Sequence, residues 1–122
     1  MVRRILAVDD DYDILEVLQL ILEDSGYVVD TLIDGRYLFD KIKETMPDLI
    51  LLDVMLGNLD GRELCRKVKS RLETQHIPVI LVSASHSLTD TPNKNGAPNA
   101  FLSKPFDINE LLDLIKVQLC AA

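Results

Sequence analysis

Three apolar runs constrain this chain more than anything else in it: Ile5-Leu6-Ala7-Val8, Leu49-Ile50-Leu51-Leu52 and Val79-Ile80-Leu81-Val82. Each has the length of a strand, and none alternates with polar residues. A strand with one wet face reads apolar-polar-apolar. A run without alternation has to be covered on both faces, which is the situation of a strand in a parallel sheet between two helix layers. Two further candidates, Val28-Val29-Asp30-Thr31-Leu32 and Ala100-Phe101-Leu102, are less uniformly apolar, as edge strands are.

Helical patterns fill the gaps. Ile14, Leu15, Leu18, Ile21 and Leu22 recur at helical spacing, with Gly26 as a stop. Tyr37, Leu38 and Ile42 mark a second helix halted near Pro47, and Leu64, Cys65, Val68 and Leu72 mark a third. Asp107-Ile108-Asn109-Glu110 opens the last one, an N-cap with Glu three residues on, and Leu111, Leu112, Ile115 and Leu119 form its apolar face. Strands alternating with helices predict βαβ units with right-handed crossovers. One stretch breaks the rhythm. Residues 85–99, SHSLTDTPNKNGAPN, hold two prolines, a glycine and three asparagines, with Leu88 as the one large apolar residue. A regular packed helix is not expected there, but a loop with one short helical turn around residues 87–91.

The 122 residues suffice for one domain with one core, and no internal repeat, linker or second domain is visible. The longest apolar stretches run only a few residues, so no membrane insertion is expected, and no secretory signal stands at the start. A formal charge of −7 without a block of Lys or Arg argues against direct nucleic-acid contact. Cys65 and Cys120 match no metal spacing and read as a small buried hydrophobe and a tail residue, which fits a reducing cytoplasm. His76 and His86 have no ligand spacing and read as surface residues, while Arg3 and Arg4 read as a solvated strand start.

The acids are harder to explain by folding. In an open α/β sheet the working site lies beyond the carboxyl ends of the strands. Asp9, Asp10 and Asp11 directly follow the first apolar run in LAVDDDYDIL, and Asp53 follows the run Leu49 to Leu52 in the same way. Ser83 ends the fourth strand at the same edge, and Lys104 follows the fifth. If the strands are central neighbours, Asp9, Asp10 and Asp53 converge and repel one another. Either one takes a proton or a cation binds. A hard divalent ion with oxygen ligands, Mg²⁺, suits such a site and would neutralise a phosphoryl group. Lys104 adds a positive charge and Ser83 a hydroxyl donor, so an anionic PO₃ group can be held against a carboxylate nucleophile. Asp53, alone at its strand end, is the best candidate for that nucleophile. Bland readings stand beside these. Asp9 and Asp10 could form a helix N-cap cluster, although Asp11 or Asp13 is the better cap. Asp53 and Ser83 could be turn residues, Lys104 a solvated charge and Phe101 plain core. Asp60-Gly61 reads as a turn entering a helix, without chemistry.

These residues together resemble the receiver domain of two-component response regulators over essentially the whole chain. In that family an acidic pair follows the first strand, here Asp9-Asp10, and the phosphoacceptor follows the third, here Asp53 in LILLDVMLGNLDG. A Ser or Thr followed by Ala ends the fourth, here Ser83-Ala84, and a Lys-Pro pair follows the fifth, here Lys104-Pro105. The resemblance implies a doubly wound five-stranded parallel sheet in order 2-1-3-4-5, with residues 1–122 as one receiver domain and the fourth helix short or replaced by a loop. It implies that a histidine kinase or a phosphotransfer protein gives its phosphoryl group to Asp53. Mg²⁺ would be held by Asp10, Asp53 and the backbone carbonyl of Met55, with Asp9 acting through a water. Lys104 would pair with the phosphoryl oxygens, Ser83 would hydrogen-bond to one, and Phe101 would be the switch aromatic that swings as Ser83 moves. Two departures matter. Gly57 stands where the family usually has proline, which is expected to loosen the loop carrying Met55 and alter metal affinity. Residues 85–99 replace the helix that normally pairs subunits or meets output partners.

Two rivals remain at this point. A phosphatase that forms an aspartyl phosphate would commonly place an acid two residues after its nucleophile, where this chain has Met55, which cannot move protons. A receiver-like docking module would keep the fold without using phosphorylation. Flavin binding is disfavoured, because the three acids after the first strand would repel its phosphate. No effector domain is visible in the chain, as in a single-domain regulator or a fragment of a longer protein.

Overall fold

The computed structural model describes residues 2–84 and 97–120. In chain order the elements are β1 (Arg4–Val8), α1 (Tyr12–Asp24), β2 (Val28–Leu32), a 3₁₀ turn (Gly35–Tyr37) running into α2 (Leu38–Thr45), β3 (Leu49–Asp53), a short hairpin β4 (Met55–Leu56) and β5 (Leu59–Asp60), α3 (Gly61–Ser70), β6 (Val79–Ser83), β7 (Ala100–Ser103) and α4 (Ile108–Cys120). The main sheet is parallel in order β2-β1-β3-β6-β7, and the β4–β5 hairpin stands apart from it. Counting only the five main strands, the order is the expected 2-1-3-4-5. β2 and β7, the two less apolar strands, lie at the edges.

The unbroken apolar runs are explained by which face each residue enters. Ile5, Ala7, Leu49, Leu51, Ile80 and Val82 pack on one face with Leu15, Leu18 and Leu22 of α1 and Leu111, Ile115 and Leu119 of α4. Leu6, Val8, Ile50, Leu52, Val79 and Leu81 point to the other face, against Leu38 and Ile42 of α2 and Leu64, Cys65 and Val68 of α3. With a period of two, every second residue serves each layer, so polar residues of the central strands are confined to their ends, at Arg4, Asp53 and Ser83. Truncating any of these leucines to alanine is worth about 2–5 kcal/mol.

Most helix limits follow local chemistry. Asp11 caps α1 by accepting from the Asp13 N–H. At the other end Tyr27 N donates to the Leu22 carbonyl and Gly26 N to the Glu23 carbonyl, with Gly26 at φ +96°, a Schellman stop. Asp107 accepts from the N–H groups of Asn109 and Glu110 and caps α4. Two expectations fail. α3 ends at Ser70 rather than carrying its stripe to Leu72, which is 82% exposed. The Thr74 hydroxyl donates to the Val68 carbonyl, and the Lys69 ammonium donates to the carbonyls of Gln75 and Ile77 beyond the helix, so these bonds fasten the following turn against the helix end and Ile77 is buried in the core instead. Tyr37, placed on an apolar helix face by spacing, lies in the 3₁₀ turn and is exposed. Residues 85–96 of the expected loop, with its short turn around residues 87–91 and its replacement of the fourth helix, lie outside the described residues, while residues 97–99 are in neither helix nor strand.

Candidate phosphoryl and metal site

The three consecutive aspartates divide their work. Asp11 caps α1. Asp9, 3% exposed, turns inward at the carboxyl end of β1, and Asp10 stays exposed at the rim. Parallel register places β1 beside β3, so Asp53 at the end of β3 opens into the same place and is itself buried. One carboxylate oxygen from each of Asp9, Asp10 and Asp53 lies within 4.8 Å of the others.

Each acid has its own restraint. Asp9 Oδ1 accepts from the Asp11 N–H at 3.0 Å and Oδ2 from the Lys104 ammonium at 2.9 Å. Lys104 Nζ also stands 3.4 Å from Asp53 Oδ2, so one cation bridges two buried carboxylates. The Met55 N–H bonds to Asp53, and the Gly57 N–H donates to Asp10 Oδ2 at 3.2 Å. The loop expected to be loose at Gly57 is therefore tied to the acidic rim. Lys104 reaches the acids because its own N–H bonds to the Ser83 carbonyl at 2.9 Å, directly after β6 and β7 pair Ser83 with Ser103. The Lys104–Pro105 peptide bond is cis. Ser83 is buried at this edge, and Phe101 is half-buried against the α2–α3 core.

The electrostatics follow from burial. Desolvation, helped by the charge of Asp9, pushes the Asp53 carboxyl up to about 6, against the downward pull of Lys104 and the Met55 N–H. Burial by itself would lower Lys104. Its hydrogen bond to Asp9 and the charges of Asp9 and Asp53 outweigh that and hold it above its ordinary value. Among the described residues Lys104 thus serves two of the three carboxylates, Asp9 and Asp53, and a negative excess remains. A cluster of carboxylate oxygens with this excess fits a hard divalent cation such as Mg²⁺ better than a soft metal.

Sequence reasoning expected Asp9, Asp10, Asp53, Ser83 and Lys104 at this edge, and the structure places them there, while Met55, added by the resemblance, opens the β4–β5 hairpin two residues after Asp53. It missed Gly61. A Cβ on Gly61 would overlap the carbonyl oxygen of Asp53 and crowd the Val54 Cα, and the Gly61 N–H donates to the Val54 carbonyl at 2.8 Å. The start of α3 therefore presses on the backbone of Asp53. The only local signal was a glycine at a helix start after Asp60, which caps α3 through the Arg62 N–H. Among the described residues, no helix is long and apolar enough to cross a membrane.

Comparison with known proteins agrees with the architecture. The family profile for the response regulator receiver domain matches residues 5–116. A putative response regulator from Chloroflexus aurantiacus superposes with a TM-score of 0.89 at 30% identity, over 98% of this chain and 99% of that one. The signal receiver domain of a signal transduction histidine kinase from Syntrophus aciditrophicus gives 0.88 at 31% identity, over 98% of this chain and 92% of that one. NtrX from Brucella abortus gives 0.86 at 27% identity, where 99% of this chain matches only 28% of the other. A match over nearly the whole of one chain and about a quarter of another marks a transferable unit. With its parallel sheet, acidic edge and bridging lysine, the chain belongs to the receiver domain family of two-component response regulators.

Proposed function

We propose that residues 1–122 form one phosphoryl-accepting signalling switch in which Asp53 is the acceptor. The observation that supports this reading best is the convergence of Asp9, Asp10 and Asp53 with Lys104 bridging Asp9 and Asp53. The donor is a phosphohistidine on a histidine kinase or a phosphotransfer protein. A carboxylate oxygen of Asp53 attacks phosphorus, the new O–P bond forms as the histidine N–P bond breaks, and the imidazole leaves with the electron pair and takes a proton from water. A carboxylate needs no general base, so positioning and charge neutralisation are what the site must supply. With a pKa of about 6, Asp53 is mostly ionised at neutral pH and ready to attack.

Asp10, Asp53 and the Met55 carbonyl would hold Mg²⁺, with Asp9 acting through a water. The ion would neutralise the phosphoryl oxygens and draw the donor in. Lys104 leaves Asp53 to pair with the arriving oxygens, and the Ser83 hydroxyl donates to one of them. The added group carries roughly −1.5 to −2 charge, enough to bias a two-state element, for which Phe101, on β7 and paired with Leu81 of the strand that ends in Ser83, is the candidate. The chain acts as a substrate of its partners rather than as an enzyme on other molecules, apart from taking phosphate from small donors and releasing it. A cytoplasmic setting goes with this reading.

Intact-mass measurement after incubation with acetyl phosphate and Mg²⁺ tests it. Wild type is expected to gain one acid-labile phosphoryl group, and Asp53→Asn to lose that gain by about a hundredfold or more. Equal uptake by both proteins would move the acceptor elsewhere.

A further inference from the structure

Asp10 is the exposed member of the acidic cluster, and exposure sets its problem. Asp9 and Asp53 are buried and gripped by Lys104, so their rotamers are fixed before any ion arrives. An exposed aspartate is free to turn into solvent, and a ligand that has to be ordered on binding weakens the site. Here the ordering comes from 47 residues away: the main-chain N–H of Gly57 donates to Asp10 Oδ2 at 3.2 Å. A carboxylate accepts several bonds, so the occupied oxygen and its partner both keep lone pairs for a cation.

The bond needs two properties of residue 57. The residue must have an N–H, and its backbone must take φ +64°, the left-handed region. Proline, the residue that Gly57 replaces relative to the family pattern, has neither the hydrogen nor access to that φ. Glycine has both. We infer that Gly57 is a positioning residue, whose amide holds the Asp10 carboxylate in place for the divalent cation and couples the β4–β5 hairpin to the acidic rim. This rests on the reading of Asp9, Asp10 and Asp53 as a Mg²⁺ site.

The test is Mg²⁺ titration of the unphosphorylated protein, followed by calorimetry and by amide NMR shifts. Gly57→Pro is expected to bind about five- to tenfold more weakly, the scale of one charge-assisted hydrogen bond. Gly57→Asn keeps the N–H and tolerates left-handed φ, and its Cβ would meet nothing within 4 Å, so it is expected to restore affinity to within about twofold. A purely structural role for the loop is separated by a double-mutant cycle. In an Asp10→Ala background, which removes the acceptor, Gly57→Pro should cost little further affinity. Equal cost with and without the Asp10 carboxylate would overturn the inference. Wild-type folding needs no variant of Gly57 for a second check: in Asp10→Ala the Gly57 amide should exchange its hydrogen faster than in wild type, and unchanged exchange would count against the bond. If wild type itself shows no Mg²⁺-dependent shifts at Asp9, Asp10 and Asp53, the functional reading fails. If those shifts occur and Gly57→Pro binds as well as wild type, only the positioning role fails.

Discussion

The two ends of the central strands treat charge in opposite ways. At the amino-terminal end of β1, the Arg4 guanidinium lies 3.2 Å from Asp30, the Arg4 N–H bonds to Asp48 at 2.8 Å, and Arg3 stands 3.9 Å from Asp48. Two cations meet two anions there, all partly open to water. At the carboxyl-terminal end, three acids meet one lysine and two of the acids are buried. The first arrangement is balanced and screened, and it is of the kind that contributes little to stability. The second keeps repulsion that folding alone would have removed. Unbalanced charge held against burial is a common feature of functional sites.

The largest effect that would break this comparison is steric. Gly61→Ala drives a Cβ into the Asp53 carbonyl oxygen, where backbone cannot move aside. The expected cost is about 3 kcal/mol or more, measured by urea unfolding, with the NMR signals of residues 53–55 shifted. A mild loss would mean that α3 does not press on the acceptor strand.

Next comes the charge itself. The Asp53 carboxyl stands at about 6 when folded against 3.8 ordinarily. Below about pH 4 both states carry the proton; between there and about pH 6 the unfolded chain releases it while the folded one holds it, so stability falls as pH rises. Asp53→Asn escapes that loss. In metal-free buffer it is expected to match wild type near pH 4 and exceed it by about 1–3 kcal/mol near pH 7.5, with added Mg²⁺ narrowing the gap by stabilising wild type. A variant that is less stable at neutral pH would show that Lys104 already balances the acids.

The smallest effect sharpens the contrast from the other end. Arg4→Gln removes the partner of Asp30, whose carboxylate stays wet enough to do without it. The expected loss is under about 1 kcal/mol and shrinks as salt is raised.

Much of this was legible from local pattern. The unbroken runs gave β1, β3 and β6 because burial on both faces leaves a signature in composition. Asp11, Gly26 and Asp107 were readable as helix limits because caps are chemistry between neighbours. The strand order and the roles at the acidic edge came through likeness to the receiver family, since periodicity does not say which strands are adjacent. What stayed hidden was close approach between distant backbone. Nothing in Asp60-Gly61 announces the carbonyl of Asp53, and nothing in Gly57 announces Asp10. Leu72 failed for a related reason: the helical period continues in the sequence, but the Thr74 hydroxyl, from beyond the helix, takes the Val68 carbonyl near its end.

The bond from the Lys104 amide to the Ser83 carbonyl has a mechanical consequence. The two residues that would meet an arriving anion are joined to one another through main chain, not only through their flexible side chains. Any tug on one strand end is delivered to its neighbour over a lever arm of a few ångströms, so the jaws of the clamp cannot drift apart without tearing the sheet at that seam.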